Sequence, residues 1–96
     1  MIYQVVLQPL ADEDLQDAYR WAAKHAPNTA GRWLVRFHES LATLTTHPER
    51  CGFAPERKRL RVELRQMLVG RRPNVFRVVF VIEPQVVRVV RICRAT

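Results

Sequence analysis

Residues 75–94 constrain the fold of this chain more than any other stretch. They form two runs rich in β-branched and aromatic side chains, separated by Glu83-Pro84-Gln85, and this pattern predicts a β-hairpin that turns at those three residues. Four arginines interrupt the two apolar runs: Arg77, Arg88, Arg91 and Arg94. Because burial of an unpaired charge is strongly unfavourable, at least one face of the hairpin must lie in water or contact an anionic partner.

The length of the turn decides which side chains share a face of this hairpin. In either case alternation puts four large apolar residues on one face: Phe76, Val78, Phe80 and Ile82. A two-residue turn at Pro84-Gln85 pairs Arg77 with Ile92, whereas a three-residue turn pairs Arg77 with Arg91. A shift of one residue moves every side chain of a strand to the opposite face. We favour the two-residue turn, because it puts three arginines on the open face: Arg77, Arg88 and Arg94.

The preceding residues predict one strand, a helical hairpin and a further strand. Residues 2–7 alternate as a short strand, and two amphipathic helices follow, from residues 10–12 to about 25 and from about 29 to 47. The apolar residues of 48–61 show no regular spacing, so this stretch is predicted to form a loop. In residues 62–69 the side chains alternate between two faces, which predicts a strand. The order β-α-α-β-β-β predicts a single α+β domain over residues 1–96. In it the helical hairpin packs on one face of a roughly four-stranded antiparallel sheet.

The basic residues are concentrated in the second half of the chain. Residues 1–47 carry four basic and five acidic side chains, whereas residues 48–96 carry twelve basic and four acidic ones. Eleven of those twelve are arginine, whose planar guanidinium matches phosphate and carboxylate groups. This asymmetry indicates a face that contacts nucleic acid, an acidic protein or both; the alternative is a solubilising surface.

Several classes of protein are disfavoured by the sequence. No apolar run is long enough for a membrane span, and the first residues lack the basic flank and apolar core of a signal peptide. We therefore expect a cytoplasmic protein in which Cys51 and Cys93 are reduced. The three histidines are scattered along the helices, so neither a metal site nor a cofactor is expected.

Seven short segments follow one another at characteristic spacings. They are Ala11-Asp12-Glu13-Asp14-Leu15, Ala30 with Trp33, residues 41–44 with Pro48, Glu56, residues 63–70, residues 76–80 and residues 89–92. In this order they resemble the RelE/ParE superfamily of type II toxin–antitoxin toxins, also known from plasmid stabilisation systems, over nearly the whole chain. The resemblance implies a growth-inhibiting toxin. It also implies a cognate antitoxin that wraps the toxin with its C-terminal segment in a hetero-oligomeric complex.

The resemblance implies one of two cellular targets. ParE-like members poison DNA gyrase, whereas RelE-like members cut mRNA in the ribosomal A site. The long helical hairpin is more similar to the ParE branch, so DNA gyrase is the favoured target. Many relatives have a histidine where this chain has Arg94, which disfavours the ribonuclease alternative. A third alternative is a non-toxic module that binds nucleic acid or protein.

The residues of a metal-free ribonuclease are only partly present. Such cleavage needs a base for the 2′-hydroxyl, a cation for the phosphate and an acid for the leaving oxygen. Arg77 and Arg94 can supply the cation, but arginine keeps its proton at physiological pH and is a poor base. No histidine follows His47, and Glu56 and Glu63 remain as candidate bases. The candidate catalytic set, if the protein is a ribonuclease, is Arg77, Arg94 and Glu56.

Two sets of residues are predicted to bind partners. The predicted target- or phosphate-binding residues are cationic: Arg65, Arg71, Arg72, Arg77 and Arg88. The predicted antitoxin-binding residues lie on the second, valine-rich sheet face, which is too apolar to leave in water: Val75, Val79, Val81, Val90 and Ile92. This second prediction requires that the chain does not cover that face itself. The structural alternative for Arg77 is an ion pair with Glu63, and that for Glu56 is an ion pair with its basic neighbours.

Overall fold

The computed structural model describes residues 2–95, in which a helical hairpin packs on one face of a four-stranded sheet. The elements in chain order are β1 (Gln4–Leu7), α1 (Pro9–His25), α2 (Ala30–Ala42), α3 (Arg57–Leu60), β2 (Arg65–Arg71), β3 (Asn74–Glu83) and β4 (Val86–Arg94). Two short 3-10 helices, Thr43–Thr45 and Pro48–Arg50, follow α2. The predicted α+β class and the predicted element order are confirmed, with α3 as an addition inside the segment predicted to be a loop.

The sheet has the order β1-β4-β3-β2 and is mostly antiparallel. Its two antiparallel pairs are β2 with β3 and β3 with β4, whereas β1 runs parallel to β4. A parallel pair needs a long connection between its strands, and the helical hairpin lies within that connection. Pro9 follows β1 and is the first residue of α1. At this position a backbone N–H would have no acceptor within the helix, so proline costs no hydrogen bond.

The main core lies between the helical hairpin and the sheet. From the helices, Ala11, Leu15, Phe37 and Leu41 pack against the sheet residues. Those sheet residues are Val69, Phe76, Val78, Phe80, Val87, Val89 and Ile92. The alternation predicted for β3 is confirmed, since Phe76, Val78 and Phe80 are all buried against the helices and Ile82 packs beside them.

A β-bulge in β4 sets the register of the hairpin. Next to the turn, Glu83 pairs with Val86 and Phe80 with Val89, as the predicted two-residue turn requires. The next pair is Val79 with Arg91, so Val90 is an extra residue on the β4 side. Arg77 therefore pairs with Cys93. The predicted pairing of Arg77 with Ile92 is wrong, because that prediction continued the alternation without a bulge.

The bulge reverses the facing of the last residues of β4. Ile92 pairs with Val78 and lies in the main core with 4% of its surface exposed. Arg94 pairs with Phe76, and its guanidinium carbon lies 4.8 Å from the ring centroid of Trp21 on α1. The predictions that Ile92 and Arg94 share the open face with Arg77 are therefore wrong.

Residues 53–64, which we call the cover segment, lie over part of the second sheet face. Ala54 and Leu64 pack on Val79 in a second, small core, with Val81 and Val90 at its edge. The Ala54 amide donates to the Leu64 carbonyl at 2.8 Å, which closes the segment on itself. Val79 is consequently only 5% exposed. The prediction of a free valine-rich face is wrong at Val79, because the chain itself supplies the apolar groups that cover it.

Candidate functional site

Arg77 is the central charged residue of the second sheet face. Its Nη2 lies 2.6 Å from Glu56 Oε2, and its Nη1 lies 3.2 Å from Glu56 Oε1 and 2.6 Å from Gln66 Oε1. The Arg77 side chain is only 20% exposed. The ion pair predicted with Glu63 is thus made with Glu56 instead, and it ties the cover segment to β3.

This ion pair decides the protonation of Glu56. Hydrogen bonds from Arg77 and from its own backbone amide lower the pKa of Glu56 from 4.5 to about 2. The same contact with Glu56 raises the pKa of Arg77. A general base works best when its pKa lies near the working pH. Glu56 is therefore a stable ion-pair partner and a poor proton acceptor at neutral pH.

We expect the Glu56–Arg77 pair to make stability depend on pH in the acid range. Because the pKa of Glu56 is lower in the folded state, the unfolded chain takes up this proton first as the pH falls. The pair therefore contributes fully above about pH 5, and its contribution is lost as the pH falls toward the folded pKa of about 2. Urea unfolding of Glu56→Gln between pH 7 and pH 3 should give a flatter stability profile than the wild type.

The matched control for this experiment is Glu63→Gln. Glu63 is exposed, and its side chain has no salt bridge or hydrogen bond among residues 2–95. Its stability profile should therefore follow that of the wild type. Parallel profiles for Glu56→Gln and the wild type would show that the pair does not form in solution.

The three candidate catalytic residues do not form one site. Arg77 and Glu56 contact each other on the second sheet face, whereas Arg94 lies on the helix side against Trp21. A ribonuclease needs its base, cation and acid around a single phosphate. Arg94 instead joins a cluster that was not predicted from the sequence, in which the ring centroids of His25 and Trp21 stack 4.2 Å apart. The four-residue spacing of Trp21 and His25 on α1 was the available signal.

Three of the five predicted phosphate-binding arginines are engaged within the chain. Arg65 donates to the carbonyls of Glu49 and Cys51, at 3.2 and 2.7 Å. Arg88 donates three hydrogen bonds to the Glu83 carboxylate on the facing strand, the shortest at 2.9 Å, and Arg77 is held by Glu56 and Gln66. Arg71 and Arg72, beside the β2–β3 turn, are exposed. Neither has a salt bridge with any of the residues that the structure describes.

Two clefts adjoin the β2–β3 turn. The larger, of about 690 Å³, lies on the helix side and is lined by Trp33, Arg36, Phe37, Ser40, Val69, Gly70, Arg71 and Asn74. The smaller, of about 510 Å³, is lined by Leu68, Arg72, Pro73, Val75 and Ala95. Each cleft combines apolar walls with exposed arginine. Such a lining suits a partner segment that presents apolar and acidic side chains together.

The remaining predictions concern the state of the two cysteines, a metal site and a membrane-spanning helix. Cys51 and Cys93 are both free thiols, and burial raises the pKa of Cys51. Within residues 2–95, the structure contains no group of three or more histidine, cysteine or acidic side chains placed to hold a metal ion. None of the helices described there is long and apolar enough to cross a bilayer.

Comparison with known proteins identifies the family. A family model described as the ParE toxin of the type II toxin–antitoxin system, parDE, matches residues 5–96. The fold is similar to a solved structure described as the chromosomal ParDE TA system from P. aeruginosa, with a TM-score of 0.77 and 18% sequence identity, covering 99% of this chain and 98% of that chain. No curated protein sequence matches the chain significantly. Because the family model spans nearly the whole sequence, the chain belongs to the ParE toxin family of type II toxin–antitoxin systems.

Proposed function

We propose that this protein inhibits growth by binding DNA gyrase in the cytoplasm, and that a cognate antitoxin holds it inactive. The family match over residues 5–96 is the observation that carries the proposal. It favours the gyrase-directed branch that the long helical hairpin also indicates.

The arrangement of the charged residues supports inhibition by binding over RNA cleavage. Glu56, the candidate base, is tied to Arg77 and has a pKa of about 2. Arg94, the second candidate cation, packs against Trp21 on the other side of the sheet. With these three residues apart or paired, a ribonuclease would need a different base and a different second cation.

The clefts beside the β2–β3 turn support a binding site for an antitoxin segment. Of the predicted antitoxin-binding residues, Val75 lines the smaller cleft together with Arg72. Val81 and Val90 are half-buried at the edge of the cover segment. A segment that places an apolar side chain on Val75 and a carboxylate near Arg72 fits this cleft, whereas Val79 and Ile92 are too deeply buried to contribute.

Purified protein is expected to abolish DNA supercoiling by purified gyrase when present in molar excess. Addition of the cognate antitoxin should restore supercoiling, because the antitoxin occupies the toxin's partner surface. The readout is the conversion of relaxed plasmid to supercoiled plasmid on an agarose gel.

A parallel assay with ribosomes and mRNA distinguishes the other two functions. Intact supercoiling with ribosome-dependent mRNA cleavage would replace this proposal by the RelE-like alternative. Activity in neither assay, and no growth defect on induced expression, would leave a non-toxic binding module.

A further inference from the structure

Half of the cations in the basic half of the chain are engaged within the fold. Six of the twelve basic residues in 48–96 have partners in the chain: Arg50, Arg65, Arg77, Arg88, Arg91 and Arg94. The other six have no salt bridge or side-chain hydrogen bond among residues 2–95: Arg57, Lys58, Arg59, Arg61, Arg71 and Arg72. Four of these six lie within five consecutive residues of the cover segment. Within residues 2–95, the basic side chains without a salt bridge or side-chain hydrogen bond are therefore concentrated on and just after α3.

The cover segment holds these cations in place. Its ends are joined by the hydrogen bond between Ala54 and Leu64, and Glu56 fastens the start of α3 to Arg77. The ring of Phe53 lies 3.9 Å from the guanidinium carbon of Arg57 and 4.3 Å from that of Arg65. A loop anchored at three points loses less conformational freedom on binding than a free loop does.

We propose that Arg57, Lys58, Arg59 and Arg61 bind the phosphate backbone of duplex DNA. This inference rests on the proposed function, because duplex DNA is the polyanion on which gyrase acts. All four side chains are exposed, so phosphates can approach them without any rearrangement of the fold. The phosphate-binding surface is thereby assigned to the cover segment, and the engaged residues Arg65, Arg77 and Arg88 have a structural role.

Charge density favours DNA over an acidic protein segment as the partner. Duplex DNA presents one negative charge per ~1.7 Å of its axis, whereas an extended peptide advances ~3.3 Å for each residue and so for each carboxylate. On a single helical turn, residues 57, 58 and 59 point about 100° apart. A partner with charges on two strands can neutralise side chains that diverge in this way more fully than one extended peptide can. Arginine additionally forms paired hydrogen bonds to phosphate oxygens.

The test measures the salt dependence of binding to a labelled 20-base-pair duplex by fluorescence anisotropy. With four phosphate contacts, a plot of the logarithm of the wild-type affinity against the logarithm of the salt concentration should have a slope of about −3.6. This slope corresponds to a loss of affinity of about 150-fold between about 50 and 200 mM salt. Lys58→Gln/Arg59→Gln should reduce the slope to about −1.8 and weaken binding on the order of 50-fold at about 0.1 M salt.

The matched control is Lys24→Gln/Arg32→Gln on the helical hairpin. It removes the same residue types and likewise lowers the net charge of +7 by two. The four replaced side chains of the two variants are exposed, so both variants should keep the wild-type urea midpoint. The control should keep the wild-type slope. An unchanged slope for Lys58→Gln/Arg59→Gln, or an equal loss in both variants, would overturn the proposal.

Two further measurements separate this inference from the proposed function and from an acidic-protein partner. If the wild type inhibits gyrase but Lys58→Gln/Arg59→Gln binds DNA with the wild-type slope, the DNA site is refuted and the gyrase proposal stands. If the slopes are as expected but gyrase is unaffected by the wild type, the gyrase proposal fails and the DNA site stands. Polyglutamate is the competitor for the second measurement. Displacement of the duplex by polyglutamate at equal charge concentration would show an acidic-protein site and overturn the assignment to DNA.

Discussion

Replacing Gly70 with alanine is expected to lower the free energy of unfolding by about 3 kcal/mol, because the new side chain is strained and collides with the backbone. Gly70 pairs with Val75 beside the β2–β3 turn. Its φ is +104°, and a Cβ atom there would lie 2.4 Å from the carbonyl oxygen of Asn74. Both strands would have to separate to admit it. The clefts on the two sides of this turn would change shape as a consequence.

Thermal unfolding followed by circular dichroism measures this effect. For a domain of this size, a loss of about 3 kcal/mol lowers Tm by roughly 12–24 °C. Gly31→Ala on α2 is the matched control, since a Cβ at Gly31 meets no atom within 4 Å. Alanine is also the better helix former, by up to about 1 kcal/mol. A Gly70→Ala protein with a Tm equal to that of Gly31→Ala would contradict the geometry described for the turn.

Removal of the Arg77 side chain is expected to release the cover segment from the sheet. Arg77→Ala leaves Glu56 and Gln66 without the donor that each now contacts, which should cost about 2 kcal/mol of stability. Because Glu56 then no longer fastens α3, the Ala54 amide should exchange its hydrogen faster. Trypsin should also cleave faster after the basic residues of α3. Urea unfolding and hydrogen exchange measure the two consequences separately.

Arg88→Ala is the matched control for this second effect. Arg88 and Glu83 are 36% and 44% exposed and belong to one hairpin, so their ion pair is worth at most about 1 kcal/mol. The cover segment should stay protected in this variant. An Arg77→Ala protein that keeps wild-type stability and wild-type protection of the cover segment would contradict the structural role of Arg77.

The packing of the helical hairpin on the sheet could be predicted from the sequence, because strand alternation and helical periodicity are each properties of a short segment. Alternating residues 76–82 placed Phe76, Val78 and Phe80 against the helices, as the structure confirms. The turn at Pro84-Gln85 was also predicted with its correct length. The helical periods marked both ends of α1 and the start of α2 to within a few residues, whereas α2 ends at Ala42, five residues before the predicted end at residue 47.

The facing of Ile92 and Arg94 did not follow from the sequence, because a single extra residue reverses it. Val90 is the same residue type as Val86, Val87 and Val89 of β4, so nothing in the composition of this strand marks it as the bulge. The cover segment escaped prediction for a similar reason. Ala54 lies in the aperiodic stretch 48–61 and Leu64 in the predicted strand 62–69, and only their joint contact with Val79 makes them a core.

The sequence by itself determined the fold class, the facing of β3 and the concentration of arginine in the second half of the chain. Only the tertiary structure decided which of those arginines are engaged. Arg77 is tied to Glu56 across 21 positions of the chain, and Arg91 to Asp14 across 77. Periodicity is set by neighbouring residues, whereas an ion pair between distant residues forms only where register, bulge and packing bring two side chains together. The basic side chains of α3 that have no salt bridge with any residue in 2–95 can therefore be identified only in the folded chain.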